Sequence, residues 1–288
     1  MNQTHRDNLM APISRLPFEV VERIVNDVAA EYDDGLYGDL LSIKACALVC
    51  HSFLPLCRKL IFASVTLNAG RPSSTSDNLN HLLSKSPHLA VYIRKLDYHV
   101  NKTEFLKQRF SWLLPMFKKL VRLQKLRISY SHYPGEGSRL DWMSPSVRKV
   151  LQPLLHFPTL TSIRLESIRK FALADFAGCV NLENLEIGFL ECSNSVGEFL
   201  EELPATPAML ERLAIRGNVK PVQQLFEARR PDGKPIIDLS SLKRITAEVA
   251  QLDSMKELIG MCRNLHKIDL LSIVSLTSHL FIHLMLLL

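Results

Sequence analysis

Leu182-Glu183-Asn184-Leu185-Glu186-Ile187 is the stretch whose reading decides the fold. It runs apolar, two variable residues, apolar, one variable residue, apolar. The closing alternation predicts a short strand with one buried face. The phrase returns as Ile93-x-x-Leu96-x-Tyr98, Leu123-x-x-Leu126-x-Ile128, Leu160-x-x-Ile163-x-Leu165, Leu210-x-x-Leu213-x-Ile215 and Leu265-x-x-Ile268-x-Leu270. Leu242-x-x-Ile245-x-Ala247 is a degraded copy. Successive starts lie 30, 37, 22, 28, 32 and 23 residues apart, which connections of variable length can absorb.

Helical stripes lie between the phrases. Phe105, Leu106, Phe110, Leu113, Phe117 and Leu120 form one, with Pro115 set to kink or break it. Val147, Val150, Leu151, Leu154 and Leu155 form a second, and Val196, Phe199, Leu200 and Leu203 a third. A strand–helix unit cannot bury its apolar face alone, so neighbouring units must stack. The reading is an α/β chain in which residues 85–288 form an irregular arc with parallel strands on its concave side.

Upstream, residues 13–62 predict three short helices. Val20, Val21, Ile24, Val25 and Val28 recur at helical spacing from Pro17 to Ala30, and Glu19 complements the helix dipole. Asp39 stands where an N-cap belongs, ahead of Leu40, Leu41, Ala45, Leu48 and Val49. A third helix from Pro55 carries Leu56, Leu60 and Ile61. Fifty residues of short helix bury little surface, which points to a module completed by a partner or by the rest of the chain. Residues 1–12 read as a flexible tail. Residues 63–84 read as a linker region with a strand at Ser64–Leu67, a breaker-rich loop NAGRPSSTSD and a helix at Asn78–Ser84.

Leu16-Pro17-x-Glu19-Val20 with Ile24, Leu40 and Ala47-Leu48-Val49-Cys50-x-x-Phe53 resembles an F-box. The layout of box followed by irregular repeats is similar to fungal F-box proteins with leucine-rich repeats, and Asn218 falls where such repeats place an asparagine. One departure is the acidic loop EYDDGLYG at Glu31–Gly38, longer than the usual connection. The resemblance implies a three-helix F-box followed by a leucine-rich-repeat solenoid. It further implies that Leu16, Pro17, Val20, Ile24, Leu48, Val49 and Phe53 line, or support, the face that docks a Skp-type adaptor. The expected function is substrate recognition in a cullin–RING ubiquitin ligase of the Skp–cullin–F-box type, with the repeats holding a target protein. Two alternatives are a non-degradative F-box scaffold and a tail-anchored membrane version.

Composition agrees with a folded protein: 47% of residues are hydrophobic and 22% charged. The six cysteines form no C-x-x-C pair and no zinc-ligand spacing, so reduced, buried thiols in an intracellular protein, cytoplasmic or nuclear, are expected. The start, MNQTHRDNLMAPI, lacks the apolar segment of a secretory signal. No Ser/His/Asp or Cys/His set can be assembled, so neither catalysis nor a cofactor or metal is expected. Cys50-His51 falls in the F-box core pattern, and Gly135-Glu136-Gly137 lacks the rest of a dinucleotide fingerprint. Trp112 and Trp142 read as core or rim.

Charge is uneven. Residues 1–62 hold six Lys/Arg against eight Asp/Glu, whereas Lys85 to Arg127 hold eleven against Asp97 and Glu104. The strand pattern exposes Arg94, Lys95, Lys125 and Arg127 there, a candidate surface for an acidic or phosphorylated target, with ordinary solvation as the bland alternative. Nucleic-acid binding is not expected, because no stacking aromatics interleave the charges. From Leu270 the chain runs LLSIVSLTSHLFIHLMLLL without a charge. This tail reads as a truncated repeat or a gene-model artefact, and less readily as a membrane anchor.

Overall fold

The computed structural model describes residues 17–30, 38–49, 51–68, 75–100, 113–130, 139–193, 203–248, 259–260, 262 and 264–270. It begins with helices α1 (Phe18–Ala30), α2 (Gly38–Val49) and α3 (Leu54–Ile61). Val21 and Val25 of α1, Ile43 of α2, and Phe53 and Cys57 form a buried cluster of their own. Pro17 lies just outside α1, and its carbonyl accepts the Val20 and Val21 N–H groups at 3.0 and 3.2 Å. Because α2 starts at Gly38, Asp39 sits inside the first turn rather than capping it.

Twelve strands follow among the described residues. They are β1 (Ser64–Asn68), β2 (Lys95–Val100), β3 (Lys125–Tyr130), β4 (Leu140–Asp141), β5 (Ser162–Glu166) and β6 (Ile168–Arg169). Then come β7 (Asn184–Gly188), β8 (Ala208–Met209), β9 (Arg212–Arg216), β10 (Ile237–Asp238), β11 (Arg244–Glu248) and β12 (Lys267–Leu270). Eight of them make one sheet in the order β1-β2-β3-β5-β7-β9-β11-β12. Every pairing in it is parallel. The chain is therefore mixed α/β, and each new strand joins the edge left by the one before.

The repeated phrase supplies the strands, the degraded copy included. Its apolar residues line up across the sheet as Leu96–Leu126–Ile163–Leu185–Leu213–Ile245 and as Tyr98–Ile128–Leu165–Ile187–Ile215–Ala247. All of these are buried. Burying one such leucine contributes roughly 1.5–3 kcal/mol, so the two rows account for much of the cohesion between strands. Against the same face pack Leu79 and Leu83 of α4 (Thr75–Lys85), Met116 and Phe117 of α5 (Leu113–Phe117), Val147, Val150 and Leu151 of α6 (Pro145–Leu155), and Val222 and Leu225 of α7 (Lys220–Glu227). The region 63–84 thus contributes an edge strand and a core helix, beyond the linking role expected from its breakers.

Entry into each strand repeats as well. The Ala63 carbonyl accepts both Arg94 and Lys95 N–H groups, and the Arg94 carbonyl accepts Gln124 and Lys125. Gln124, Thr161, Glu183, Glu211 and Lys243 do the same for the next unit, all at 2.8–3.2 Å. Spacing in sequence varies while this backbone register does not, because the extra residues go into the connections. After β5, β7 and β9 the chain leaves through Ser167, Phe189 and Gly217, each in the left-handed region at φ 57, 49 and 87°.

Some expectations fall differently. Asn218 is exposed, and its side-chain Oδ1 accepts the Lys220 N–H at 2.9 Å at the start of α7. The connection after β6, where the sequence pattern predicts no helical stripe, holds a 3-10 segment, Leu173–Gly178. Phe105–Phe110, Trp112, Gly135–Gly137, Val196–Leu200 and the tail 271–288 lie outside the described residues. Among the described residues no helix is long and apolar enough to cross a membrane.

Candidate functional site

Two surfaces stand out, one on the helices and one on the sheet. In α2, Ile43 faces the small core while Leu41, Ala45 and Leu48 follow one another at helical spacing on the opposite side. Leu41 is 68% exposed, Leu48 88% and Val49 48%. A helix apolar all round is normally buried on every side. On α1, Val20 and Ile24 are 41% and 39% exposed, one turn apart and beside the buried Val21 and Val25. Pro17 is exposed too. Of the seven residues expected at the docking face, Pro17, Val20, Ile24, Leu48 and Val49 thus lie at the surface, and Phe53 is buried beneath them as support. Leu16 lies outside the described residues.

The outward side of the sheet carries three rows set by strand register. The first is Lys95–Lys125–Ser162–Asn184–Arg212–Arg244–Lys267. The second is Asp97–Arg127–Arg164–Glu186–Ala214–Thr246–Asp269. The third is His99–Ser129–Glu166–Gly188–Arg216–Glu248.

Rows two and three neutralise one another. Glu166 Oε2 accepts Arg127 Nη2 at 2.7 Å, while its Oε1 accepts Arg164 Nε at 2.9 Å. Arg164 also meets Glu186 at 3.2 Å, and Arg216 reaches Glu186 at 3.2 Å and Glu248 at 3.6 Å. Partial burial of Glu166 pulls its pKa up. The hydrogen bonds and charges of Arg127 and Arg164 outweigh that and hold it below the usual carboxylate range. His99 shares a 2.6 Å hydrogen bond with Ser129. Burial, then the Arg127 charge, pushes its pKa down against the opposing pull of Asp97 and Glu166.

The expected target-binding residues therefore have different fates. Register brings Lys95 and Lys125 side by side at the sheet edge, with Arg127 one row inward. Lys95 pairs with Asp97 at 3.2 Å, and Arg127 is committed to Glu166. Arg94 is half-buried just ahead of β2, and Lys125 stays exposed. Farther along, Arg212 and Arg244 face each other on β9 and β11. They flank a depression of about 230 Å3 whose lining includes Ser162, Asn184 and Ala214. The pattern did not single these out, because their isolation depends on where every nearby carboxylate is engaged.

No family model matches this chain, and no curated protein matches it.

Among the described residues no group of His, Cys, Asp and Glu is arranged to hold a metal ion. Burial raises the thiol pKa of Cys57 and Cys179, and pushes Cys192 up to about 12 and Cys262 to about 11. These cysteines are neutral at pH 7 and poor nucleophiles.

Proposed function

We propose that this protein is the substrate-recognition subunit of a cullin–RING ubiquitin ligase of the Skp–cullin–F-box type. Helices α1–α3 act as the F-box and dock a Skp-type adaptor. The parallel sheet is the strand side of a leucine-rich-repeat solenoid and holds the target protein. The chain contributes no catalytic group. It positions target lysines near the charged conjugating enzyme and so raises their effective concentration. The cytoplasm or nucleus, where such ligases act, is its compartment.

The observation that carries the reading is the apolar stripe Leu41–Ala45–Leu48 on the solvent side of α2, where water should be kept off by a partner. Of this stripe, Leu48 is a position that the F-box resemblance assigns to the docking face or its support, and Leu41 and Ala45 extend the same apolar side of the helix. The repeated strand entry and the strictly sequential, parallel strand order support the solenoid half of the proposal. Co-expression with a Skp-type adaptor, followed by affinity capture and size-exclusion chromatography, tests it. A stoichiometric complex is the expected outcome, and failure to form one overturns the F-box assignment. A reconstituted ubiquitination assay on captured targets then separates a ligase subunit from a scaffold.

A further inference from the structure

We infer that the outward first row of the sheet is a receptor for an acidic peptide segment, clamped at Arg212 and Arg244 and at Lys125. The inference rests on the reading of this face as the target-binding surface and names what the face selects. It also centres the site on Arg212 and Arg244, keeping only Lys125 of the basic stretch that composition highlights.

Engagement of the surrounding carboxylates is the first argument. On the outward face Asp97 is held by Lys95, Glu166 by Arg127 and Arg164, Glu186 by Arg164 and Arg216, Glu248 by Arg216, and Asp269 by Lys267. Glu211, next to Arg212 in sequence, is held by Lys243 at 2.6 Å. The Arg212 charge adds to that of Lys243 in holding Glu211 low, but among the described residues neither Arg212 nor Arg244 is in an ion pair, although register sets the two residues on adjacent strands. Like charges so placed repel each other, and an anion between them removes that repulsion.

Shape is the second argument. Ala214 is the shortest side chain of its row, and Ser162 and Asn184 are short and uncharged, which leaves the depression beside Arg212 and Arg244. Arg164 and Glu186 also line it, Glu186 being engaged by Arg164 and Arg216, so a carboxylate or phosphate group placed there would accept from Arg212 and Arg244.

Spacing is the third. From Arg212 the first row runs through Asn184 and Ser162 to Lys125, which has no ion pair among the described residues, three strand steps away. At about 4.8 Å per step that is roughly 14 Å, the reach of about four extended residues. Ser162 and Asn184 between the clamps offer hydroxyl and amide groups to the peptide backbone. The preferred ligand is therefore an extended segment with acidic side chains four residues apart, the acid being Asp, Glu or a phosphorylated residue.

The test uses the full chain and fluorescein-labelled pentapeptides, read by anisotropy at low salt. The probes are Glu-Ser-Gly-Ser-Glu, its bis-phosphoserine counterpart with phosphoserine at both ends, and the Gln-Ser-Gly-Ser-Gln control. The R212A/R244A variant should bind roughly tenfold more weakly, the loss of two charge-assisted contacts, whereas the charge-matched K118A/K119A control should bind as wild type does. Binding should also fall as salt shortens the screening length. Selective binding of the phosphorylated peptide alone would support the site and assign it a phosphorylated ligand. Equal affinity for the glutamine control, undiminished binding by R212A/R244A, equal loss in K118A/K119A, or no binding of any peptide would each overturn the inference. Adaptor capture is measured on the same preparations. Absence of peptide binding by the wild-type chain with the adaptor still captured refutes this inference alone, and peptide binding without adaptor capture refutes only the docking half of the function.

Discussion

Trp142 and Asp175 are joined by a 2.7 Å hydrogen bond from the indole Nε1 to the carboxylate Oδ2, in the interior between α6 and the 3-10 segment. Asp175 is almost fully buried, yet its other oxygen accepts Arg148 Nη2 at 2.8 Å and Gln152 Nε2 at 2.7 Å. The Trp142 ring packs at 4.8 Å on Phe171, which in turn packs at 4.7 Å on Phe176. One carboxylate thus fastens α6 to the connection that follows it, on the side of the sheet away from the charged rows.

Removing that carboxylate takes the acceptor from the indole N–H and from the part-buried Arg148 and Gln152. Asp175→Ala is expected to cost about 3–5 kcal/mol, as for a broken buried charge pair. Trp142→Phe keeps most of the ring packing and leaves one acceptor lone pair, so about 1–3 kcal/mol is expected. Urea denaturation of both variants checks the order. A smaller loss for Asp175→Ala than for Trp142→Phe contradicts the assignment of Asp175 as the hub.

On the helices, Leu48→Asp and Ile24→Asp change exposed positions, so their effect on stability should stay within about 0.5 kcal/mol. Both should nevertheless abolish adaptor capture, because a carboxylate would lose its water at a dry contact. Val25→Asp, in the buried cluster, should instead melt the three helices. Circular dichroism beside the capture assay distinguishes the two kinds of loss.

Acid should destabilise the protein in two steps. His99 has a folded pKa below its unfolded value of about 6.5, so the folded state binds fewer protons, and its contribution, full above that value, is lost as pH falls through the folded pKa. Glu166 is depressed in the same sense from about 4.3, and its contribution fades only at lower pH. His99→Gln should flatten the stability profile between pH 7 and 5, and Glu166→Gln the profile below pH 5. Thermal unfolding across that range reads both, and unchanged slopes would refute the assignments.

At the strand exits, a Cβ added to Gly217 would lie 3.0 Å from the Phe189 ring, at a φ of 87° that side chains rarely adopt. Gly217→Ala should cost about 1–2 kcal/mol. Phe189 itself is 55% exposed at a φ of 49°, so Phe189→Gly should relieve strain. In the Phe189→Gly background the cost of Gly217→Ala should shrink to its backbone part. Additive losses in a double-mutant cycle would show that the ring contact contributes nothing.

The strands were legible because their information is local. In Leu182-x-x-Leu185-x-Ile187 the alternation of period two fixes which side chains are buried, whatever the neighbouring strand is, and the degraded copy at Leu242 obeyed the same rule. The three helices were legible from their helical spacing, but that spacing set Val20, Val21, Ile24 and Val25 on one face to be buried, and only the packing put Val21 and Val25 inside with Val20 and Ile24 partly exposed. The two-residue strands β4, β6, β8 and β10 were not legible, since so short a run carries no period. Nor could the chain alone show which charges are free. Arg127 and Arg212 occupy outward positions in the same repeated phrase, yet Arg127 meets Glu166, thirty-nine residues away, while Arg212 forms no ion pair among the described residues. Local pattern decided burial in the strands, because burial there follows the side chain's own direction. Only the tertiary register decided ion pairing and the hub at Asp175, because those depend on which distant residue the next strand or helix sets alongside.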